Sequence, residues 1–185
     1  MEGNIVVLRR NLGAVMVEDR KRLEVVSEAR LGEVVNKIVP IQGPATAAAN
    51  AKDRSFSTTN AANVAAGPAV APKAFMATVE GGVYLFCNIL PAYTDFLMRL
   101  QTAVAERQPG LGYLPWRRWR AFRTEVREAE EPYRFVDGEC LEAVLEWDDK
   151  VMEDVVGEVN AGKEEGEKWT VEGVRAVVEG LRRLR

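Results

Sequence analysis

The sequence predicts an α+β protein, with strands gathered first and helices after them. Three observations predict it. Short β-branched and aromatic runs separated by glycine-bearing turns occupy the first 90 residues. From Pro91 onward the apolar residues recur at helical spacing. Between two groups of strand-like runs lies a stretch, 42–73, made almost wholly of small and polar residues. Strands followed by helices, rather than alternation of the two, is the α+β pattern.

The first run, Ile5 to Leu8, is bounded by Gly3 and by an Asn11-Leu12-Gly13 turn. The second, Leu23 to Ala29, partly alternates, with Leu23, Val25 and Ser27 on one face. The third holds Val34, Val35 and Ile38, stops before Pro40, and is separated from the second by a turn at Gly32. Residues 42–73 hold Phe56 as almost their only large apolar side chain. Such a segment buries too little surface to offset its ordering entropy and reads as a disordered loop insertion. An alanine-rich helix is the alternative, weakened by Asn50, Asn60, Asn63 and the prolines. Strands resume as a hairpin, Phe75 to Val79 and Val83 to Cys87, turning at Glu80-Gly81-Gly82.

In the C-terminal half, Tyr93, Phe96, Leu97, Leu100 and Val104 share one helical face, ended by Pro109 and Gly110. Pro115 opens a short aromatic-rich helix carrying Trp116, Trp119, Ala121 and Phe122. Asp137 is the expected N-cap of a helix lined by Leu141, Val144 and Leu145. Val151, Met152, Val155, Val156 and Val159 line the next, and Gly162 to Gly166 is a polar break. Thr170 caps a last helix with Val174, Val177, Val178, Leu181 and Leu184 on one face. Its basic end, Arg182, Arg183 and Arg185, complements the helix dipole.

About five short strands make neither a closed barrel nor a sandwich. They match little more than one blade of a propeller, at roughly 40 residues per four-stranded blade. Blades need neighbours to bury their faces. The reading is therefore partial β-propeller blades over 1–90, with the insertion at about 42–73, then a C-terminal helical domain over 91–185. The chain reads as the C-terminal end of a larger protein, or as a truncated gene model of one.

The composition narrows function. The 185 residues are 47% hydrophobic and 29% charged, with a formal net charge of −3, so a strongly basic nucleic-acid-binding domain is not the first expectation. There is no histidine, which removes every histidine-based triad, general base or metal site. Cys87 and Cys140 are too few and too far apart for a zinc or disulfide framework and suit a reducing compartment. The acidic start predicts no secretory signal, and no apolar run of about 18 residues appears. Glu80-Gly81-Gly82 lacks the Lys-Ser/Thr and the following helix of a phosphate loop, so it reads as a plain turn. Cys140 has no basic activator nearby in sequence and reads as a buried structural thiol. The expectation is a protein with no enzymatic activity and no cofactor or metal.

Two charged features remain. From Glu128 to Glu172 there are 16 Asp and Glu against 4 Lys and Arg, read as solvated helix faces or as a docking surface for a basic partner. Upstream, Arg117, Arg118, Arg120, Arg123 and Arg127 alternate with Trp116, Trp119 and Phe122. Basic residues interleaved with aromatics suit single-stranded nucleic acid. The competing reading makes Trp119 and Phe122 core anchors and pairs the arginines with the acidic helices that follow.

Trp119-Arg120-Ala121-Phe122-Arg123-Thr124-Glu125 and Phe135-Val136-Asp137-Gly138-Glu139-Cys140-Leu141-Glu142 carry a resemblance. They are similar to the C-terminal signature of the DNA damage-binding protein family. That family lies within a wider group holding the large subunit of the cleavage and polyadenylation specificity factor and a splicing-factor subunit. Glu18-Asp19-Arg20, Leu31 to Asn36 and Thr78 to Gly81 resemble that family's last propeller strands, and Thr170 to Leu181 its last helix. The departures are Ala121 for Ser, Glu139 for Asp and Cys140 for Leu, as in a divergent, fungal-like member. The resemblance implies a nuclear, non-enzymatic scaffold of three β-propellers and a helical domain. Such scaffolds link WD40-type substrate receptors to a cullin-RING ubiquitin ligase in DNA repair and protein turnover. It further implies that Trp119, Arg120, Phe122, Thr124, Glu125, Asp137 and Gly138 are signature residues of packing and capping. In that frame Gly138 lets the chain enter its helix tightly, and Arg117, Arg118, Arg123 and Arg127 are candidate nucleic-acid or partner contacts. The alternative reading is a nucleic-acid-binding subunit of an RNA-processing complex.

Overall fold

The computed structural model describes residues 3–41, 68–108 and 111–184. Strands β1 (Asn4–Arg10) and β2 (Leu23–Arg30) form an antiparallel pair, with Asn4 opposite Arg30 and Arg10 opposite Leu23. Between them lies a helical turn, α1 (Val17–Lys21), where strand had been expected from Glu18-Asp19-Arg20. Acidic residues in its first turn and basic ones in its last favour that turn over strand. A second antiparallel sheet has the order β3 (Val35–Pro40), β4 (Val70–Thr78), β5 (Val83–Ile89).

β4 begins at Val70, so residues 70–73 are strand rather than the end of an insertion; residues 42–67 lie outside the described ones. Along β4 the inward side chains are Val70, Ala74, Met76 and Thr78, while Phe75 points outward. The β4–β5 turn carries Gly81 at φ 94°, a backbone state that glycine adopts without a Cβ penalty. β3 runs through Pro40, tolerated because it is the last residue of an edge strand.

Helix α2 (Pro91–Arg107) has Pro91 in its first turn and buries Tyr93, Phe96, Leu97, Leu100 and Val104, the face read from the sequence. A 3₁₀ turn, Leu111–Tyr113, leads to α3 (Trp116–Arg120). α3 is shorter than expected: Pro115 is its N-cap and Ala121 is already extended. Then come α4 (Gly138–Glu142), which continues as a 3₁₀ turn over Ala143–Leu145, α5 (Asp149–Val159) and α6 (Val171–Arg182). Asp148 caps α5 by accepting from the Val151 N–H at 2.9 Å, and Thr170 caps α6 by accepting from the Gly173 N–H at 3.1 Å. α6 ends before Leu184, which lies exposed beyond the apolar face assigned to it.

The main core is helical. Leu97, Leu100, Leu141, Met152, Val155, Val174 and Val178 are fully buried together. Phe96 stacks on Trp169 at 3.9 Å between ring centroids. The Asn160 side chain holds the backbone of that tryptophan, accepting from its main-chain N–H and donating to its main-chain carbonyl. Among the described residues, those of β1, β2 and β3 contribute nothing to this core. Their outward apolar side chains, Val6, Leu8, Leu23, Val25, Ile38 and Val39, lie exposed.

Candidate functional site

The segment from Trp116 to Glu142 ties the β1–β2 sheet to the helices. Its centre is Arg120, the last residue of α3 and only 5% exposed. Arg120 Nε donates to Asp137 Oδ2 at 2.7 Å, and Nη1 donates to the carbonyl of Leu31 at 3.1 Å. One buried guanidinium thereby holds the end of β2 against the start of α4. Asp137 also caps α4, accepting from the Glu139 N–H at 3.1 Å. Its own N–H donates to Gln101 Oε1, and Gln101 Nε2 donates to the Phe135 carbonyl, which anchors the cap to α2. A charge this buried requires such a partner set.

Trp119 departs from the expected core anchor. It is 37% exposed, and the Arg120 guanidinium lies 3.8 Å from its ring centroid. The chain buries the arginine and the small Ala121 instead, because the Asp137 carboxylate and two backbone carbonyls sit on that side. Phe122 is half-buried, with the Arg127 guanidinium 5.1 Å from its ring centroid. Gly138 is the first residue of α4, and a Cβ there would meet no atom within 4 Å outside its own helix and chain neighbours.

From Phe122 to Ala129 the chain forms a tight hairpin bridged at Arg123 and Glu128. Thr124 closes it, its hydroxyl accepting from the Arg127 N–H at 3.0 Å. Glu125 lies exposed at the tip. The Asn4 side-chain amide pairs with the backbone of Arg123 in both directions, and Tyr133 pairs with Glu28 of β2 through the main chain. Glu28, 5% exposed, takes Arg127 in a two-pronged ion pair.

The arginines are thus spent within the protein, but not as expected. Arg120 pairs with Asp137 at the start of α4. Arg117 reaches back to Glu106 of α2 at 3.2 Å, Arg118 to Glu128 at 3.4 Å, and Arg127 to β2. Neutralising carboxylates at this range weaken a field for nucleic acid.

Beside Arg120 lies a second polar knot. Thr78 and Tyr84 donate to the two oxygens of Glu33 at 2.5 and 2.8 Å. These bonds, with Arg120 nearby, hold the Glu33 carboxyl below its ordinary range, while burial and the same bond raise Tyr84. Gly82 leaves room for this knot: a Cβ would come 2.7 Å from Glu33 Oε2 and 3.0 Å from Thr78 Oγ1, so the carboxylate would have to move. Gly3 is tighter still, its Cβ position overlapping the backbone carbonyl of Glu33. Cys140 is buried, and desolvation, then the Asp137 carboxylate, pushes its thiol up to about 12, which leaves it unreactive.

Sequence reasoning missed Glu28, Glu33 and Gln101. The available signal was positional: Gln101 lies on the apolar face of α2 and Glu28 at an inward strand position, and a buried polar side chain needs a partner. Among the described residues no three His, Cys, Asp or Glu are placed to hold a metal ion, and no helix is long and apolar enough to cross a membrane.

A family model described as the CPSF A subunit region matches residues 1–146. The chain is 26% identical to DNA damage-binding protein 1 of Schizosaccharomyces pombe over 191 aligned positions, covering 99% of this chain and 15% of that protein. It is 28% identical to DNA damage-binding protein 1a of Arabidopsis thaliana, over 88% of this chain and 13% of the relative. With DNA damage-binding protein 1 of Oryza sativa the identity is 27%, over 93% of this chain and 14% of the relative. The chain therefore spans about one seventh of the length of the curated relatives it matches.

Proposed function

The chain belongs to the CPSF A subunit region family, and from that premise we infer that it is a non-enzymatic scaffold piece, one part of a propeller-built adaptor. In this reading, helices α2 to α6 brace the propeller and the Arg120–Asp137 junction transmits that bracing to β2. The observation that carries it is the contrast between a fully buried helical core and sheet faces left apolar and open. A two-stranded sheet such as β1–β2 is marginally stable at best without further strands or a packed helix.

The names of the matched relatives, DNA damage-binding proteins, support a link to damaged DNA. By the same resemblance, the finer role is to help present WD40-type substrate receptors to a cullin-RING ubiquitin ligase in the nucleus. The internal pairing of Arg117, Arg118, Arg120 and Arg127 favours this role over direct nucleic-acid binding.

The test is co-expression with the Schizosaccharomyces pombe relative lacking its matched segment. The expected result is a stable complex that captures a WD40-type receptor, with no capture by the 185-residue chain alone. Nanomolar capture by the chain alone contradicts the bracing role.

A further inference from the structure

Between the ends of β1 and β2 the chain turns its apolar side chains outward. Leu12, Val15, Met16 and Val17 are 72, 93, 69 and 63% exposed. Helix α1, which begins at Val17, buries none of its five residues. A helical turn that short gains little from its own hydrogen bonds and is ordinarily held by packing. This one keeps its apolar side chain, with the three before it, in water. Single exposed apolar residues are common, but a cluster of four marks an interaction surface. The cluster lies past Arg10, where β1 ends, and before Leu23, where β2 begins. Further strands added to the sheet would therefore leave it open.

The charge around the cluster is positive. Lys21 is paired with Glu18 at 3.2 Å and Arg22 with Asp19 at 3.6 Å, so those four cancel. Arg9, Arg10 and Arg20 are exposed, and among the described residues no carboxylate forms an ion pair with them. Arg20 Nε donates to the neutral Ala14 carbonyl at 2.7 Å, which holds the side chain beside the cluster and leaves its charge unbalanced. The one remaining acid, Glu24, stands opposite Arg9 and accepts from the Asn11 amide. The main chain of the tip is already used: the N–H groups of Leu12, Ala14 and Arg20 donate to the carbonyls of Arg10, Asn11 and Met16. A partner would meet side chains there, not a free backbone edge.

We propose that this tip is a docking site for an amphipathic helix of a protein partner. Its aliphatic face lies against Leu12, Val15, Met16 and Val17, and glutamates at its margins lie beside Arg9, Arg10 and Arg20. The occupied backbone disfavours an added strand, and the apolar cluster calls for a matching apolar face. The unpaired arginines select an acidic helix over a basic one. A lipid surface or a nucleic acid is disfavoured, because either would press a continuous anionic array onto Glu18 and Asp19 at the start of α1. A helix places its few charges only at its margins. The proposal rests on the scaffold reading in supposing a protein partner, but its test uses this chain alone, so that either can fail without the other.

The test follows the methionine methyl groups by NMR in the 185-residue chain, with Met16 in the cluster and fully buried Met152 as the internal control. The probe is the capped peptide Glu-Leu-Ala-Glu-Leu-Leu-Glu-Ala-Leu-Leu-Glu-Glu at low salt. The expected result is a saturable shift of the Met16 signal, with the Met152 signal unmoved. Leu12→Ser with Val15→Ser, and separately Arg9→Gln with Arg10→Gln, all at exposed positions, should each weaken binding by about tenfold. The same peptide with Lys for every Glu should bind more weakly, as should vesicles of phosphatidylcholine and phosphatidylserine. A Met16 signal unmoved at millimolar peptide, an affinity unchanged by either double substitution, or tighter binding of the Lys peptide or the vesicles would overturn the proposal. A Met16 signal that moves with protein concentration before any peptide is added would assign the tip to a second copy of this chain, and would overturn it as well.

Discussion

At the scale of single residues, the account turns on which side chains the junction buries. Arg120→Ala leaves the Asp137 carboxylate buried without its cation, and the expected loss is about 3–5 kcal/mol by urea denaturation. Trp119→Ala, at a partly exposed position, should cost only about 1–2 kcal/mol; the reverse order would show that the tryptophan is the anchor. Glu33 adds a pH dependence. Its folded-state carboxyl lies below the ordinary 4.5, so its contribution is complete above that value and disappears as pH falls through the lower folded value. Glu33→Gln should flatten the acid limb of a stability–pH profile below about pH 4.5. Thiol labelling at pH 8 should modify half-buried Cys87 before Cys140, whose thiol reacts only on unfolding.

At the scale of elements, the helices were the most legible part of the sequence. The α2 face was read because five apolar residues at helical spacing leave only one face to bury, and Thr170 reads as a cap from its place before an apolar run. Asp148→Ala and Thr170→Ala should each cost about 1 kcal/mol in thermal or denaturant unfolding. The stretch from Ala121 to Asp137 was less legible. Its order comes from distant partners, Asn4, Glu28 and Leu31, which no local spacing announces. The helical turn α1 was masked by its resemblance to a strand segment. Aromatics interleaved with arginine promised buried rings, whereas the fold buries the Arg120 charge and leaves Trp119 half in solvent. Pattern alone does not reveal that choice, because it depends on a carboxylate 17 residues away.

At the scale of the whole molecule, stability is unevenly divided. The helices share one dense core, while β1, β2 and β3 lie outside it with apolar side chains open. The proposed bracing role requires this division, because on that proposal the open faces are those that further strands would cover. The most direct measurement is residue-resolved amide hydrogen exchange on the 185-residue chain by itself. The account predicts slow exchange in α2, α5 and α6 and exchange faster by orders of magnitude in β1, β2 and β3. Equal, slow protection across both sheets and helices would mean that the strands need no neighbours, and would contradict it.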